Sequence, residues 1–266
     1  MAELCVGILG CGNMGGAILK GLAATGKYSL IGWTRTMKRL DPLLEMGVEA
    51  ATDANDLVRK SSVLILGVKP YQIEDVIESL DKKLLSGKIL VSIAAGTSLK
   101  TLKKAADNCC TVVRCMPNTP AMVSRGVFAL CFDKKAGEKE KECVKGIFAD
   151  LGLCLELTEE QFTPFSALIG AGPAYVFDLM EGLVMAGVTL GFSHAQSRSM
   201  VTELFAGCAK MAAENSAEHL MAMRDNVCSP AGLTIAGVNA MNEEGLSAKL
   251  GRAVLKANER GREMED

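Results

Sequence analysis

The chain is short of the residues that usually announce a metal centre or a general acid. Only two histidines, His194 and His219, and one tryptophan occur in 266 residues, and aromatics make up 5%. Ten cysteines are scattered along the chain with no pair at the two-residue spacing of a zinc knuckle. With so few histidines to complete a ligand set, no structural metal is expected. Buried free thiols in a reducing cytoplasm fit better. Charge of either sign is not in excess: 29 basic against 31 acidic residues leave a net charge of −2. A non-specific hold on nucleic acid or on anionic lipid is therefore not expected. The opening Met1-Ala2-Glu3 lacks the charged region and cleavage-type site of a signal peptide. One apolar run, residues 169–192, is long enough to span a bilayer, but Asp178 and Glu181 fall near its middle among several glycines. A helix buried in a bundle or at a subunit interface suits that composition better than a membrane span.

What is present is a globular composition, 49% apolar and 23% charged, over a length that suits two ordinary domains. Compact apolar runs at residues 4–9, 30–33, 63–67, 89–93 and 112–116 read as strands covered on both faces. Helical faces lie between them, as with Met14, Ile18 and Leu22, or Ile73, Val76, Ile77 and Leu80. Two later runs, 126–132 and 153–157, flank a charged helix over 134–150 and complete the sheet. Alternation of this kind predicts an α/β fold with a mostly parallel, Rossmann-type sheet. Beyond residue 157 only helical patterns remain, with Pro173, Ser193, Ser216 and Pro230 marking helix starts and a polar helix over 244–265. The expected division is 1–158, a dinucleotide-binding domain, and 159–266, an all-helical domain.

The first strand runs into Gly10-Cys11-Gly12-Asn13-Met14-Gly15, three glycines at the G-x-G-x-x-G spacing. Gly10 permits the tight turn, Gly12 admits a pyrophosphate against the backbone, and Gly15 lets the helix lie close on the strand. The helix N-terminus offers N–H groups and a positive dipole end to the phosphates, with Asn13 and Met14 in its first turn. The second strand ends Trp33-Thr34-Arg35-Thr36, with no acid before Asp41. A site for NAD usually places a carboxylate there; hydroxyls and the Arg35 guanidinium suit a ribose 2′-phosphate, so NADPH is expected, with NADH as the alternative. The other reading of Arg35, Lys38 and Arg39 is a solvated loop. Further loops at strand ends, Val68-Lys69-Pro70 and Met116-Pro117-Asn118-Thr119-Pro120, place Lys69 and Pro70 near the dinucleotide. The amide of Asn118 is a candidate partner for the nicotinamide carboxamide.

In the helical half, Ser229-Pro230-Ala231-Gly232-Leu233-Thr234 reads as a helix start: a cap, a first-turn proline, then small residues exposing N–H groups. Such a terminus suits a carboxylate, and the Thr234 hydroxyl can both donate and accept.

Taken together, the loops resemble pyrroline-5-carboxylate reductase, the last enzyme of proline biosynthesis. The resemblance runs over nearly the whole chain. It includes the glycine loop, Val68-Lys69-Pro70, Val91-Ser92-Ile93-Ala94-Ala95-Gly96, Met116-Pro117-Asn118-Thr119-Pro120, Gly170-Ala171-Gly172-Pro173-Ala174-Tyr175 and Asp225-Asn226-Val227-Cys228 leading into the 229–234 block. Two departures stand out: Ala171 where the family commonly has Ser, and Ala231 where it frequently has Gly. The resemblance implies hydride transfer from NADPH to the C=N carbon of the substrate. Thr234 would position the ring nitrogen, while Ser229 and the amides of Ala231, Gly232 and Leu233 would hold the carboxylate. It also implies a homodimer through the C-terminal helices, with stacked rings up to a decamer. The competing readings are a related β-hydroxyacid or imine reductase, for which Lys210 is the only helical-domain lysine before Lys249, and a non-catalytic relative that senses a dinucleotide.

Overall fold

Eight strands join in one sheet in the computed structural model, which describes residues 4–264. In chain order they are β1 (Cys5–Leu9), β2 (Ser29–Trp33), β3 (Glu49–Ala50), β4 (Val63–Leu66), β5 (Ile89–Ser92), β6 (Thr111–Met116), β7 (Gly126–Phe132) and β8 (Gly152–Glu156). Across the sheet the order is β3-β2-β1-β4-β5-β6-β7-β8. Only the β6–β7 pair is antiparallel. The one strand not foreseen is β3, because Glu49 and Ala50 form no apolar run. Helices α1 (Asn13–Ala23), α2 (Asp41–Leu44), α3 (Ala54–Lys60), α4 (Ile73–Ser79), α5 (Lys82–Leu85), α6 (Leu99–Ala105) and α7 (Glu138–Ala149) occupy the connections.

Successive residues of a strand point to opposite faces, and here both faces are covered. Val6, Ile8, Val63 and Ile65 pack with Ile18, Leu19 and Leu22 of α1 and with Val144, Ile147 and Phe148 of α7. Their neighbours Leu9, Leu64 and Leu66 pack on the other face with Leu57 of α3, Ile73 and Ile77 of α4 and Leu102 of α6. Double coverage explains why these strands read as unbroken apolar runs and not as alternation. It also leaves the C-terminal ends of β1, β2, β4 and β5 at one edge, where their loops gather.

The helical region comprises α8 (Phe162–Phe165), α9 (Gly172–Thr189), α10 (His194–Glu214), α11 (Leu220–Asp225), α12 (Leu233–Glu243) and α13 (Leu246–Glu263), with a π-helical turn at Ser166–Gly170. Two compact units divide after Gly170, the first taking back the chain from Arg260 and the second spanning Ala171–Glu259. Residues 159–170 stay with the first unit because the segment after β8 is anchored to the sheet. Phe162 and Phe165 pack on Ala129 and Cys131 of β7. Arg114, 8% exposed within β6, lays its guanidinium 4.3 Å from the Phe162 ring centroid and donates to Glu159 Oε1 at 3.3 Å. Glu159 Oε1 also accepts the Leu99 N–H at the start of α6.

Of the four expected helix starts, Pro173 and Ser193 are confirmed, and Ser216 and Pro230 are displaced. Pro173 lies in the first turn of α9, and Ser193 caps α10 in a reciprocal box with Gln196. Ser216 does not start a helix; His219 does, its Nδ1 accepting the Met221 N–H at 3.1 Å. The apolar 169–192 run is not buried within its own chain. In α9 only Val184 is buried, while Phe177 is 66% exposed, and Glu159–Thr189 is long and apolar enough to cross a membrane by length and composition. Across Ala171–Glu259 the buried residues are Val184, Ser197 and Val201.

Candidate active site

The loops at the strand ends enclose a cavity of about 910 Å³. Gly10, Gly12, Asn13 and Met14 line it from the glycine loop, Thr34 and Arg35 from the end of β2, and Lys69 and Pro70 from the loop after β4. Eight of the ten expected cofactor residues therefore share one space. Gly15 does not line it, and its contribution is packing. A Cβ there would overlap the Gly10 carbonyl oxygen, so α1 can approach the turn only with glycine at that position. Gly10 has φ +98°, and a Cβ there would lie 2.7 Å from the Gly67 carbonyl carbon. The turn is tied down by the Gly10 N–H donating to Trp33 C=O and the Gly67 N–H donating to Leu9 C=O, both at 2.8 Å. Gly67 is thus a fourth glycine of the cradle; its close approach to Gly10 has no local sequence signature.

The tenth expected residue, Asn118, is buried and does not line the cavity. Its Oδ1 accepts the Val127 N–H at 2.9 Å, and its Nδ2 donates to the Ile169 C=O at 3.3 Å. Both ends of the amide hold the 118–120 loop to neighbouring backbone, and only one N–H of Nδ2 remains to offer a ligand.

Several wall residues were not foreseen. Arg39 comes from the connection after β2, beside the Thr36 hydroxyl already expected there, and Gln72, the N-cap of α4, continues into Asp75, Val76 and Ser79 on one face of that helix. That face follows helical spacing, but nothing local distinguishes it from a solvated one. The side chains of Arg35, Arg39 and Lys69 enter no ion pair or hydrogen bond among the described residues. Cationic groups without carboxylate partners, a bare glycine cradle and a helix start free of acidic residues together fit a phosphorylated dinucleotide. Cys11, inside the loop, donates its thiol to Ile8 and Trp33 carbonyls, and burial pushes its pKa up to about 12. It is a packing residue and not a nucleophile.

The 229–234 block departs from expectation in register. Pro230 does not open the helix: α12 begins at Leu233 with Gly232 as N-cap. Residues before it form a turn in which the Gly232 N–H donates to the Ser229 C=O at 3.1 Å, so this amide is already spent. The N–H groups of Leu233, Thr234 and Ile235 occupy the first turn, where no intrahelical acceptor exists. Ser229 Oγ lies over Gly232, where a Cβ would overlap it. Ala231 adopts φ +53°, the left-handed region that favours glycine, which accounts for the glycine frequent at this position in the family it resembles. Leu233 is 96% exposed and Thr234 is exposed, so the block lies open on its unit.

Comparison with known proteins fits this arrangement. Residues 159–264 match the model of pyrroline-5-carboxylate reductase dimerisation, and residues 5–96 match that of NADP oxidoreductase, coenzyme F420-dependent. The pyrroline-5-carboxylate reductases of Methanosarcina acetivorans and Escherichia coli K12 are each 32% identical, the first covering 97% of both chains and the second 98%. A solved pyrroline carboxylate reductase of Plasmodium falciparum with NADP bound superposes over all of both chains at a TM-score of 0.88 and 28% identity. That of Coxiella burnetii gives 0.91 at 29% identity over 98% of both. With identity above 30% along nearly its whole length, the chain belongs to the pyrroline-5-carboxylate reductase family.

Proposed function

We propose that this protein reduces 1-pyrroline-5-carboxylate to L-proline with NADPH, the last step of proline biosynthesis. The observation that carries the reading is the retention, in one chain, of the dinucleotide cradle and of the 229–234 block at the start of α12. Bound in the cavity, the dinucleotide supplies the hydride. Gly10, Gly12 and the α1 N-terminus receive the pyrophosphate, and Thr34 and Arg35 read the 2′-phosphate. Lys69 and Pro70 border the same cavity. On the helical unit, the Leu233 and Thr234 N–H groups and the Ser229 hydroxyl hold the substrate carboxylate, with Ala231 and Gly232 shaping the turn. The Thr234 hydroxyl positions the ring nitrogen.

The chemistry asks little acid catalysis of the chain. Hydride addition to the carbon of a protonated C=N bond gives the secondary amine directly, so no proton is transferred in that step. The protein contributes orientation and electrostatics. Lys210, the acid that a β-hydroxyacid reading would need, is exposed and lies 3.8 Å from Glu214. His219 spends a ring nitrogen on its helix cap. The Thr234→Ala variant tests the placement: kcat/KM for pyrroline-5-carboxylate should fall at least about tenfold, the loss of one hydrogen bond to a charged group, with NADPH affinity kept. Unchanged kcat/KM would show that Thr234 does not touch the substrate.

A homodimer through the helical region follows from its lack of a core. Three buried residues cannot hold five helices as an independent unit, and the exposed apolar faces of α9 and α10 are the surface a second copy would cover. Stacking into a decamer is the larger assembly proposed. All ten cysteines are unpaired, which supports a cytoplasmic setting.

A further inference from the structure

Arg39 is a cation that neither the fold nor the 2′-phosphate reading uses. It follows the Thr34-Arg35-Thr36 turn, in the short 3-10 segment Met37–Arg39 before α2. Its side chain is exposed, lines the cofactor cavity, and has no hydrogen bond or carboxylate partner among the described residues. Over the bare Cα of Gly12, a Cβ built at ideal geometry finds Arg39 Nη1 at 3.6 Å and no other heavy atom within 4 Å beyond its chain neighbours. Gly12 is the position whose missing side chain admits a pyrophosphate to the α1 N-terminus. The guanidinium therefore stands across the path that the diphosphate bridge must take. Arg35, from the turn itself, lies nearer the end of β2, where a ribose 2′-substituent belongs.

We infer that Arg39 is a pyrophosphate clamp, closing over the diphosphate bridge of either nicotinamide dinucleotide from the side opposite the α1 N-terminus, while Arg35 alone reads the 2′-phosphate. The two arginines, four residues apart, divide the work: one serves affinity for any dinucleotide, the other the choice between NADPH and NADH. The inference rests on the cofactor reading above. A guanidinium can meet two phosphate oxygens at once, with planar, charge-assisted hydrogen bonds that an ammonium reproduces less well.

The test is equilibrium binding of NADPH and NADH, by quenching of intrinsic fluorescence, to the full-length wild type and to the Arg39→Gln, Arg39→Lys and Arg35→Gln variants. Circular dichroism confirms that each is folded. Arg39→Gln should weaken both cofactors by the same factor, about tenfold or more for a lost charge-assisted pair, and Arg39→Lys should recover part of it. Arg35→Gln should weaken NADPH and leave NADH unchanged. If Arg39→Gln weakens NADPH but not NADH, Arg39 belongs to the 2′-phosphate and the clamp is wrong. If it weakens neither, the residue is a solvated surface cation and the inference is also wrong. A wild type without preference for NADPH would overturn the Arg35 reading while leaving the clamp to be judged on NADH.

Discussion

Ala231 bears a conformational cost that the protein has not removed. At φ +53° an alanine loses roughly 1–2 kcal/mol relative to the right-handed region. The Ala231→Gly variant should gain about 0.5–1 kcal/mol, the relief being partly offset by the greater freedom of glycine in the unfolded chain. A higher Tm would show it; an unchanged or lower Tm would mean that the turn is held without strain. Gly15 presents the opposite case, since a Cβ there would overlap the Gly10 carbonyl oxygen and backbone cannot yield as a flexible side chain does. Gly15→Ala should cost about 1–3 kcal/mol and weaken NADPH binding through the displaced loop, as measured by denaturation and fluorescence titration. A glycine such as Gly15 is legible in the sequence because no other amino acid suits its geometry. Asn118 was not. Its amide is committed to Val127 and to Ile169, 9 and 51 residues away, and no local pattern records such partners. Arg39 is equally silent, since its position over Gly12 exists only once β1 and β2 pair.

Among the elements, the strands were the most legible and the helix starts the least. Strands buried on both faces announce themselves as short apolar runs, so every strand but the two-residue β3 is foreseen. Helix starts depend on which of several polar residues wins the cap. Ser216 and Pro230 both have suitable chemistry, yet His219 and Gly232 take the positions. The consequence for the site is specific: with α12 beginning at Leu233, the free N–H groups shift toward Thr234. The segment after β8 shows a further limit. Its anchoring by Phe162 and by the Arg114–Glu159 pair joins β6, β7 and α6, contacts that spacing along the chain does not reveal. Phe162 is 1% exposed, and Phe162→Ala should cost about 3–5 kcal/mol for a buried aromatic. It also removes the ring over which the Arg114 guanidinium lies. Chemical denaturation measures the loss, and a cost below about 1 kcal/mol, typical of a surface substitution, would contradict the anchoring.

At the scale of the whole molecule, stability should depend on pH in one direction on the acid side. Asp56 is held below the usual carboxylate range by the Thr52 N–H first, with Lys60 assisting; Asp150 by Lys27 and then Tyr28; Glu156 by Lys145 and then Lys141. A lowered folded-state pKa contributes stability above the unfolded value, and that contribution disappears as the pH falls through the folded one. Tm should hold near neutrality and decline below about pH 4, where unfolded carboxylates begin to bind protons. Asp150→Asn should lower Tm at pH 7 and make the acid decline shallower; an acid limb identical to wild type would remove Asp150 from the account. The open helical region, with its apolar faces unburied in one chain, belongs to this scale as well, because it is the part that matches the dimerisation model.

Membership of the pyrroline-5-carboxylate reductase family makes the protein a reductase of one cyclic imine. The direct measurement is NADPH oxidation by the full-length protein with 1-pyrroline-5-carboxylate, followed at 340 nm with chiral analysis of the product. The expected result is one L-proline formed for each NADPH consumed, with a higher kcat/KM for NADPH than for NADH. No oxidation with this substrate, beside turnover of a 3-hydroxyacid in reverse or tight NADPH binding without any turnover, would contradict it.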